Sequence, residues 1–282
     1  MNTQRLFDTA HLDSFAREWK AQSKNNKVLG YYCSHLPEEI LYAAGVLPYR
    51  IRGTGITSDS NAESYLSPFS CSFCRGCFEQ FLDGNYDFFN GFIASDGCLQ
   101  PQRVYDNWKN YLKREDNFCY QFNAPRVYDE AALGMYRREL LDLKNAVERY
   151  ASYVTNEKLI DAIRVYNHTR ALLRELYGLR KSDRPLVTGE ECLRITLASM
   201  SMRKDQFNAL LEAFLEEAKA REPITDYRAR LMLIGSSCDN PDYLKIFEDK
   251  GGLFVADVNC YGSRYLYDCL LYTSPSPRDI SG

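Results

Sequence analysis

The stretch Lys27-Val-Leu-Gly-Tyr-Tyr-Cys-Ser-His-Leu-Pro-Glu-Glu-Ile-Leu-Tyr-Ala-Ala-Gly-Val-Leu-Pro-Tyr-Arg-Ile51 reads as strand, helix and strand in direct succession. Residues 27–33 are a short apolar run, and residues 46–51 are another. Between them Pro37 stands at a first helical position. Glu38 and Glu39 fill the first turn, where negative charge is favoured, and Gly45 follows the end.

The pattern continues outward. A polar loop, residues 53–67, leads to a helix over 72–82, and then come a strand about Ile93, a helix over 104–113 and a strand over 118–122. Upstream, Leu12, Phe15, Ala16 and Trp19 share one face of a helix over 9–24. This alternation predicts a parallel sheet flanked by helices. From Asp129 to Glu222 the period is helical alone: Leu133, Tyr136, Leu140, Leu143 and Val147 recur at three- and four-residue steps, as do Leu159, Ile163, Tyr166, Leu173 and Leu176. Such stripes are core packing, and His168 inside one is read as structural. Further helices are expected over 189–200 and 204–221. Strand chemistry then returns at 230–238, with a helix over 241–250 and a strand over 252–260. The expected organisation is an N-terminal α/β domain (1–128), a helical segment (129–222) and the start of a second α/β domain (223–268).

Composition narrows the function. The chain has 282 residues, 45% hydrophobic and 26% charged, enough for a sizeable core. A net charge of −3 without a basic block gives no nucleic-acid footprint. No run of 18 apolar residues is present to span a membrane, and the first residues hold no apolar signal core. Ten cysteines without such a signal point to a reducing, cytoplasmic setting and to metal rather than disulfides.

The cysteines separate by position. Cys71 opens a helix after a Ser/Pro-rich loop, Cys98 closes Gly91-Phe-Ile-Ala-Ser-Asp-Gly-Cys98, and Cys260 closes Gly252-Leu-Phe-Val-Ala-Asp-Val-Asn-Cys260. Ligands collect at strand carboxyl ends in α/β sheets, and thiols there are reached more easily than thiols in a core. Three of them invite a shared metal. Cys33, Cys119 and Cys192 lie in apolar or amphipathic runs and read as packing residues. Cys71-x2-Cys74-x2-Cys77 has the spacing of part of a ferredoxin run, although six residues along a helix do not converge on one atom.

Five segments in order carry a resemblance: Gly30-Tyr-Tyr-Cys-Ser-His-Leu-Pro-Glu-Glu-Ile-Leu-Tyr-Ala-Ala-Gly45, Cys71-Ser-Phe-Cys-Arg75, Gly84-Asn-Tyr-Asp-Phe88, Asp96-Gly-Cys98 and Val255-Ala-Asp-Val-Asn-Cys-Tyr-Gly-Ser-Arg-Tyr265. Together they resemble the 2-hydroxyacyl-CoA dehydratase and benzoyl-CoA reductase family, over nearly the whole chain. The resemblance implies two α/β, Rossmann/flavodoxin-like domains with a helical layer between them, the second incomplete here. It implies a [4Fe-4S] cluster on Cys71, Cys98 and Cys260, an acyl-CoA substrate, a second homologous subunit and an ATP-dependent iron–sulfur activator. It further implies a radical route. The β-hydrogen of a 2-hydroxyacyl-CoA is barely acidic, so one electron is placed on the thioester carbonyl, and the resulting ketyl expels the neighbouring hydroxyl. Three thiolates leave one iron with an open position.

Other residues are weaker candidates. Ser34, His35, Glu38 and Glu39 follow the first strand, and Ser34 and Glu38 are the candidate catalytic pair. The competing reading has Ser34 capping the helix and the glutamates serving its positive end. Arg75, Arg103 and Arg264 lie near the three cysteines and would bind a CoA phosphate or offset cluster charge. A dearomatising reductase, a double-cubane protein using Cys33, Cys74, Cys77 or Cys238, and a relay subunit that only passes electrons are the alternatives. Finally, Cys269-Leu-Leu-Tyr-Thr-Ser-Pro-Ser-Pro-Arg-Asp279 departs from the family, and its codons can spell a transposase sequencing adapter, so residues 269–282 are read as an artificial tail.

Overall fold

The structure is a computed structural model and describes residues 2–111, 117–125, 127 and 129–266. The segment 269–282 therefore lies outside the described residues. Contacts group the rest into two units, one of residues up to Glu18 together with Ile163–Leu266, the other of Trp19–Ala162.

The second of these holds a parallel sheet of β1 (Lys27–Tyr31), β2 (Val46–Arg50), β3 (Gly91–Ser95) and β4 (Phe118–Phe122), in the order β2-β1-β3-β4. Pro48 lies in β2, an edge strand, where its missing N–H costs no ladder bond on the open side. The helices are α1 (Leu12–Gln22), shared between the units, α2 (Glu38–Ala43), α3 (Ser72–Leu82), α4 (Leu99–Tyr111), α5 (Glu130–Tyr150) and the start of α6 (Asn156–Lys181). Asp129 caps α5, its carboxylate accepting from the Ala132 amide at 2.7 Å. One core joins Leu29, Tyr31 and Ile93 of the sheet to Leu41 of α2 and to Leu143 and Val147 of α5. On α3 and α4, Phe81 and Trp108 close over Phe92 with rings 5.4 and 5.5 Å apart.

The other unit carries the rest of α6 with α7 (Gly189–Ser199), α8 (Lys204–Lys219) and a two-stranded parallel sheet, β5 (Ala229–Ile234) and β6 (Gly252–Val258), joined by α9 (Pro241–Glu248). Thr188 and Glu191 form a reciprocal capping box at the start of α7. Leu253 and Phe254 of β6 are buried, whereas Met232 and Ile234 of β5 are 50% and 75% exposed. The residues expected as one helical segment, 129–222, are thus divided, α5 packing with the first sheet and α7 with β6. His168 pairs with Glu212 at 2.7 Å on the surface. Among the described residues no helix is long and apolar enough to cross a membrane.

Candidate functional site

In the four-stranded sheet the chain leaves β1 for β2 on one side, and β3 lies on the other. The carboxyl ends of β1 and β3 are therefore the topological switch point, where open α/β sheets form their ligand crevice. Cys33, Ser34 and His35 follow β1, and Asp96, Gly97 and Cys98 follow β3. Hydrogen bonds to the main chain hold both loops: Leu36 N donates to Cys33 O at 3.2 Å, and the Asp96 carboxylate accepts from Ala124 N at 3.2 Å.

Cys71 is the residue preceding α3, with its side chain exposed and making no cap to the helix. Its approach loop is fixed by Arg75, whose Nε lies 2.8 Å from Asp59 and whose Nη1 donates to Pro68 O and Ser70 O at 2.8 and 2.6 Å. Arg75 thus shapes the loop that presents Cys71. Arg103 is exposed, 3.8 Å from Asp106. Cys98 is exposed. One turn into α3, Cys74 is buried with its sulfur 2.9 Å from the Tyr32 hydroxyl. Burial pushes the Cys74 thiol up to about 12, the Tyr32 hydroxyl opposing, and the nearby Cys71 and Cys98 sulfurs add to the rise. Cys71 and Cys98 are thus open, and Cys74, one turn into α3, is closed. Cys77 is wholly buried. The ferredoxin-like spacing does not present a row of ligands, because the helix turns Cys74 and Cys77 inward.

Two candidates look different once folded. Glu38 is buried, accepting from the Tyr31 hydroxyl at 2.6 Å. Ser34 makes no cap: α2 begins after Pro37 without a side-chain bond. Cys33, read as a packing residue, is partly buried, and its sulfur and the His35 ring both lie against Gly97. Gly97 explains how the loops approach, since a Cβ there would stand 3.2 Å from Cys33 Sγ and 3.4 Å from His35 Nδ1. Burial raises the Cys33 thiol, but His35 beside it and the charge of Arg50 outweigh that and bring it down to about 7. His35 is raised in turn, first by Cys33. Proximity across the loop made this pair, and the Cys-x-His spacing was its only trace in the sequence.

In the other unit Cys260 follows β6. Asn259, almost fully buried, clamps the loops after both strands, accepting from Cys238 N at 3.0 Å and donating to Cys238 O at 2.9 Å. Cys260 N donates to Ser236 O at 2.8 Å. Nearby, Asp257 accepts from Ser263 N at 2.7 Å and pairs with Arg180 at 2.7 Å, both side chains of the pair 5% exposed or less. Gly262 lies so close to Asp257 that any Cβ would collide with its carboxylate. Arg264 donates to Cys260 Sγ at 3.5 Å, so of the three arginines it is the one on a cysteine sulfur. Cys192 is fully buried and its thiol is pushed up to about 12 by burial, as a packing residue should be. Cys119 is half-buried.

Among the described residues no three His, Cys, Asp or Glu side chains form a group that could hold a metal ion. Cys71 and Cys98 offer exposed thiols, donors of the soft kind that iron–sulfur clusters take.

Comparison with known proteins identifies a family model, 2-hydroxyglutaryl-CoA dehydratase, D-component, matching residues 33–279. The chain is 28% identical over 260 residues to one of the subunits of the benzoyl-CoA reductase of Thauera aromatica, covering 89% of this chain and 66% of that protein. It is 28% identical over 250 residues to the beta subunit of (R)-2-hydroxyglutaryl-CoA dehydratase of Acidaminococcus fermentans, covering 88% and 65%. To the beta subunit of (R)-phenyllactyl-CoA dehydratase of Clostridium sporogenes it is 23% identical over 258 residues, covering 92% and 68%. The chain thus spans about two thirds of the length of these relatives.

Proposed function

The chain belongs to the 2-hydroxyglutaryl-CoA dehydratase D-component family, and on that premise we propose that it is the iron–sulfur subunit of a 2-hydroxyacyl-CoA dehydratase, a cytoplasmic lyase that removes water from a 2-hydroxyacyl thioester. The observation that carries this reading is that Cys71, just before α3, and Cys98, just after β3, are both exposed. Cys71, Cys98 and Cys260 would hold a [4Fe-4S] cluster, which when bound supplies single electrons to the acyl thioester. The chain's own residues do the rest. Arg75 fixes the loop that offers Cys71. Asn259 and the Arg180–Asp257 pair fix the loop that offers Cys260, and Arg264 offsets charge at its sulfur. Glu38, enclosed against Tyr31, holds the head of β1 and α2 in place. Ser34, half-buried beside the switch point, keeps the access a polar contact with the acyl group requires.

The relatives' names, each that of one subunit of an enzyme, support a partner subunit. We propose a second, homologous subunit and an ATP-dependent activator as electron donor. Equal identity to the reductase relative and to the hydroxyglutaryl-CoA dehydratase relative, 28% in each case, supports a dearomatising reductase as a second reading.

The test is the complex purified without oxygen. One four-iron cluster per chain is expected, with an electron paramagnetic resonance signal that changes when a 2-hydroxyacyl-CoA is added. Cys98→Ser should lose iron and turnover, while Cys192→Ala keeps both. Equal iron loss in the two variants would overturn the assignment of ligands. Turnover of an aromatic acyl-CoA without any dehydration would move the chain to the reductase reading, and an unchanging signal with every acyl-CoA would make it a relay.

A further inference from the structure

We propose that Lys204 is a positioning residue for the Cys260 thiol, acting through the turn that follows that cysteine. The side chains that carry the inference all belong to the unit of Ile163–Leu266. Lys204 opens α8, yet only 1% of it is exposed, and a lysine is rarely buried without groups to hold its charge. Its Nζ donates to Ser199 O at the carboxyl end of α7, where the helix dipole favours a cation. The same ammonium stands over two rings, 5.1 Å from the centroid of Tyr166 on α6 and 5.4 Å from that of Tyr265. Both distances lie within cation–π range, and the attraction is larger where water is excluded.

Tyr265 ends the short helical turn Ser263–Tyr265, just beyond Cys260. Asp257 holds the start of this turn by accepting from Ser263 N, and Lys204 holds its end. Leu266 O, next along, accepts from Arg174 Nη1 of α6 at 3.4 Å. Between the two anchors is Arg264, which donates from its main chain to Asn259 O at 3.3 Å and from Nη1 to Cys260 Sγ at 3.5 Å. Arg264 and Tyr265 are consecutive in one turn, so moving the ring off the ammonium moves the guanidinium off the sulfur. A buried charge on α8 thereby fixes how far the Cys260 sulfur is covered. The proposed function enters only in giving Cys260 its task as a ligand, and the anchoring is tested without metal.

The test uses the full chain, freed of metal by a chelator under nitrogen, with iodoacetamide as probe and peptide mass spectrometry to follow each cysteine. Labelling of a partly buried thiol follows the population of locally opened forms. Lys204→Met and Tyr265→Leu should each label Cys260 about fivefold faster or more, the factor that loss of a desolvated cation–π contact gives. Tyr265→Phe keeps a ring under the ammonium and should stay within about twofold of the native rate. Cys192, fully buried in the same unit, reports general opening and should stay unlabelled throughout. Arg264→Ala should also speed Cys260, and adding Lys204→Met to it should gain nothing, because both act through one contact. Should Lys204→Met fail to fold, Tyr265→Leu combined with Arg264→Ala takes its place. An unaltered Cys260 rate in Tyr265→Leu, a Tyr265→Phe variant as fast as Tyr265→Leu, labelling of Cys192, or effects that multiply in the combined variant would overturn the proposal. The two readings fail separately. The expected labelling pattern in a chain that takes up no iron and dehydrates nothing sinks the dehydratase reading alone. A working dehydratase whose Cys260 labels at the native rate in every variant sinks this one alone.

Discussion

The two sheets present their cysteine-bearing loops by different means. In the first, β1, β2 and β3 are almost wholly buried, and the loops at their ends stand on a packed apolar base. In the second, β5 leaves Met232 and Ile234 largely in solvent, and the loops are tied by polar clamps: Asn259 across both strand ends, and Arg180 to Asp257 to Ser263. Parallel strands ordinarily depend on cover over both faces. Where cover is thin, directional bonds must fix what packing would otherwise fix. Clamps of this kind hold a loop in position yet fail abruptly when one partner is lost.

The largest effect should come from cutting a clamp. Arg180→Ala strands the buried Asp257 carboxylate, and a loss of about 3–5 kcal/mol is expected in urea unfolding followed by circular dichroism. A loss below about 1 kcal/mol would mean the second sheet is not held this way.

A matched pair of isoleucines probes the cover itself. Ile93 in β3 is 1% exposed and Ile234 in β5 is 75% exposed. Ile93→Ala should cost about 2–5 kcal/mol, and Ile234→Ala no more than about 0.5 kcal/mol. Similar costs at the two positions would show that the outer face of β5 is covered in solution, and the contrast between the sheets would disappear.

Asn259→Ala should cost about 1–3 kcal/mol, because it leaves the Cys238 amide and carbonyl without their partner. Iodoacetamide should also label Cys260 faster in this variant, and an unchanged rate would detach the clamp from the thiol. The smallest effect concerns packing thiols. With the Cys74 and Cys192 thiols both pushed up to about 12 and both residues buried, neither should label at pH 8 in the native state. Cys71 and Cys98 should label readily, and native labelling of Cys192 would argue that the second unit opens.

Local signals in the sequence carried most of the fold. Pro37, the acidic first turn and Gly45 marked α2, and the five-residue β4 lay where its apolar run ended. Cys71, Cys98 and Cys260 were legible as residues at element ends, since that needs only the boundaries. Contacts between distant segments were not legible. Arg180 and Asp257 are 77 positions apart, each in an ordinary helix or strand pattern. The Cys33–His35 pair was hidden because Cys33 extends an apolar run, and only the fold sets Gly97 against it. The exposure of β5 was equally hidden, as Leu231-Met-Leu-Ile234 has the composition of a covered strand.

The separation of Cys71 and Cys98 from the core of their unit sets an order of events in maturation. That core closes on Leu29, Ile93, Leu143 and their neighbours, and neither open thiol belongs to it. A zinc finger has no folded state until its metal arrives. Here the apolar core closes without either open thiol, so its closure needs no ligand at Cys71 or Cys98. Filling of the proposed cluster site would then be a late step, carried out on a finished surface.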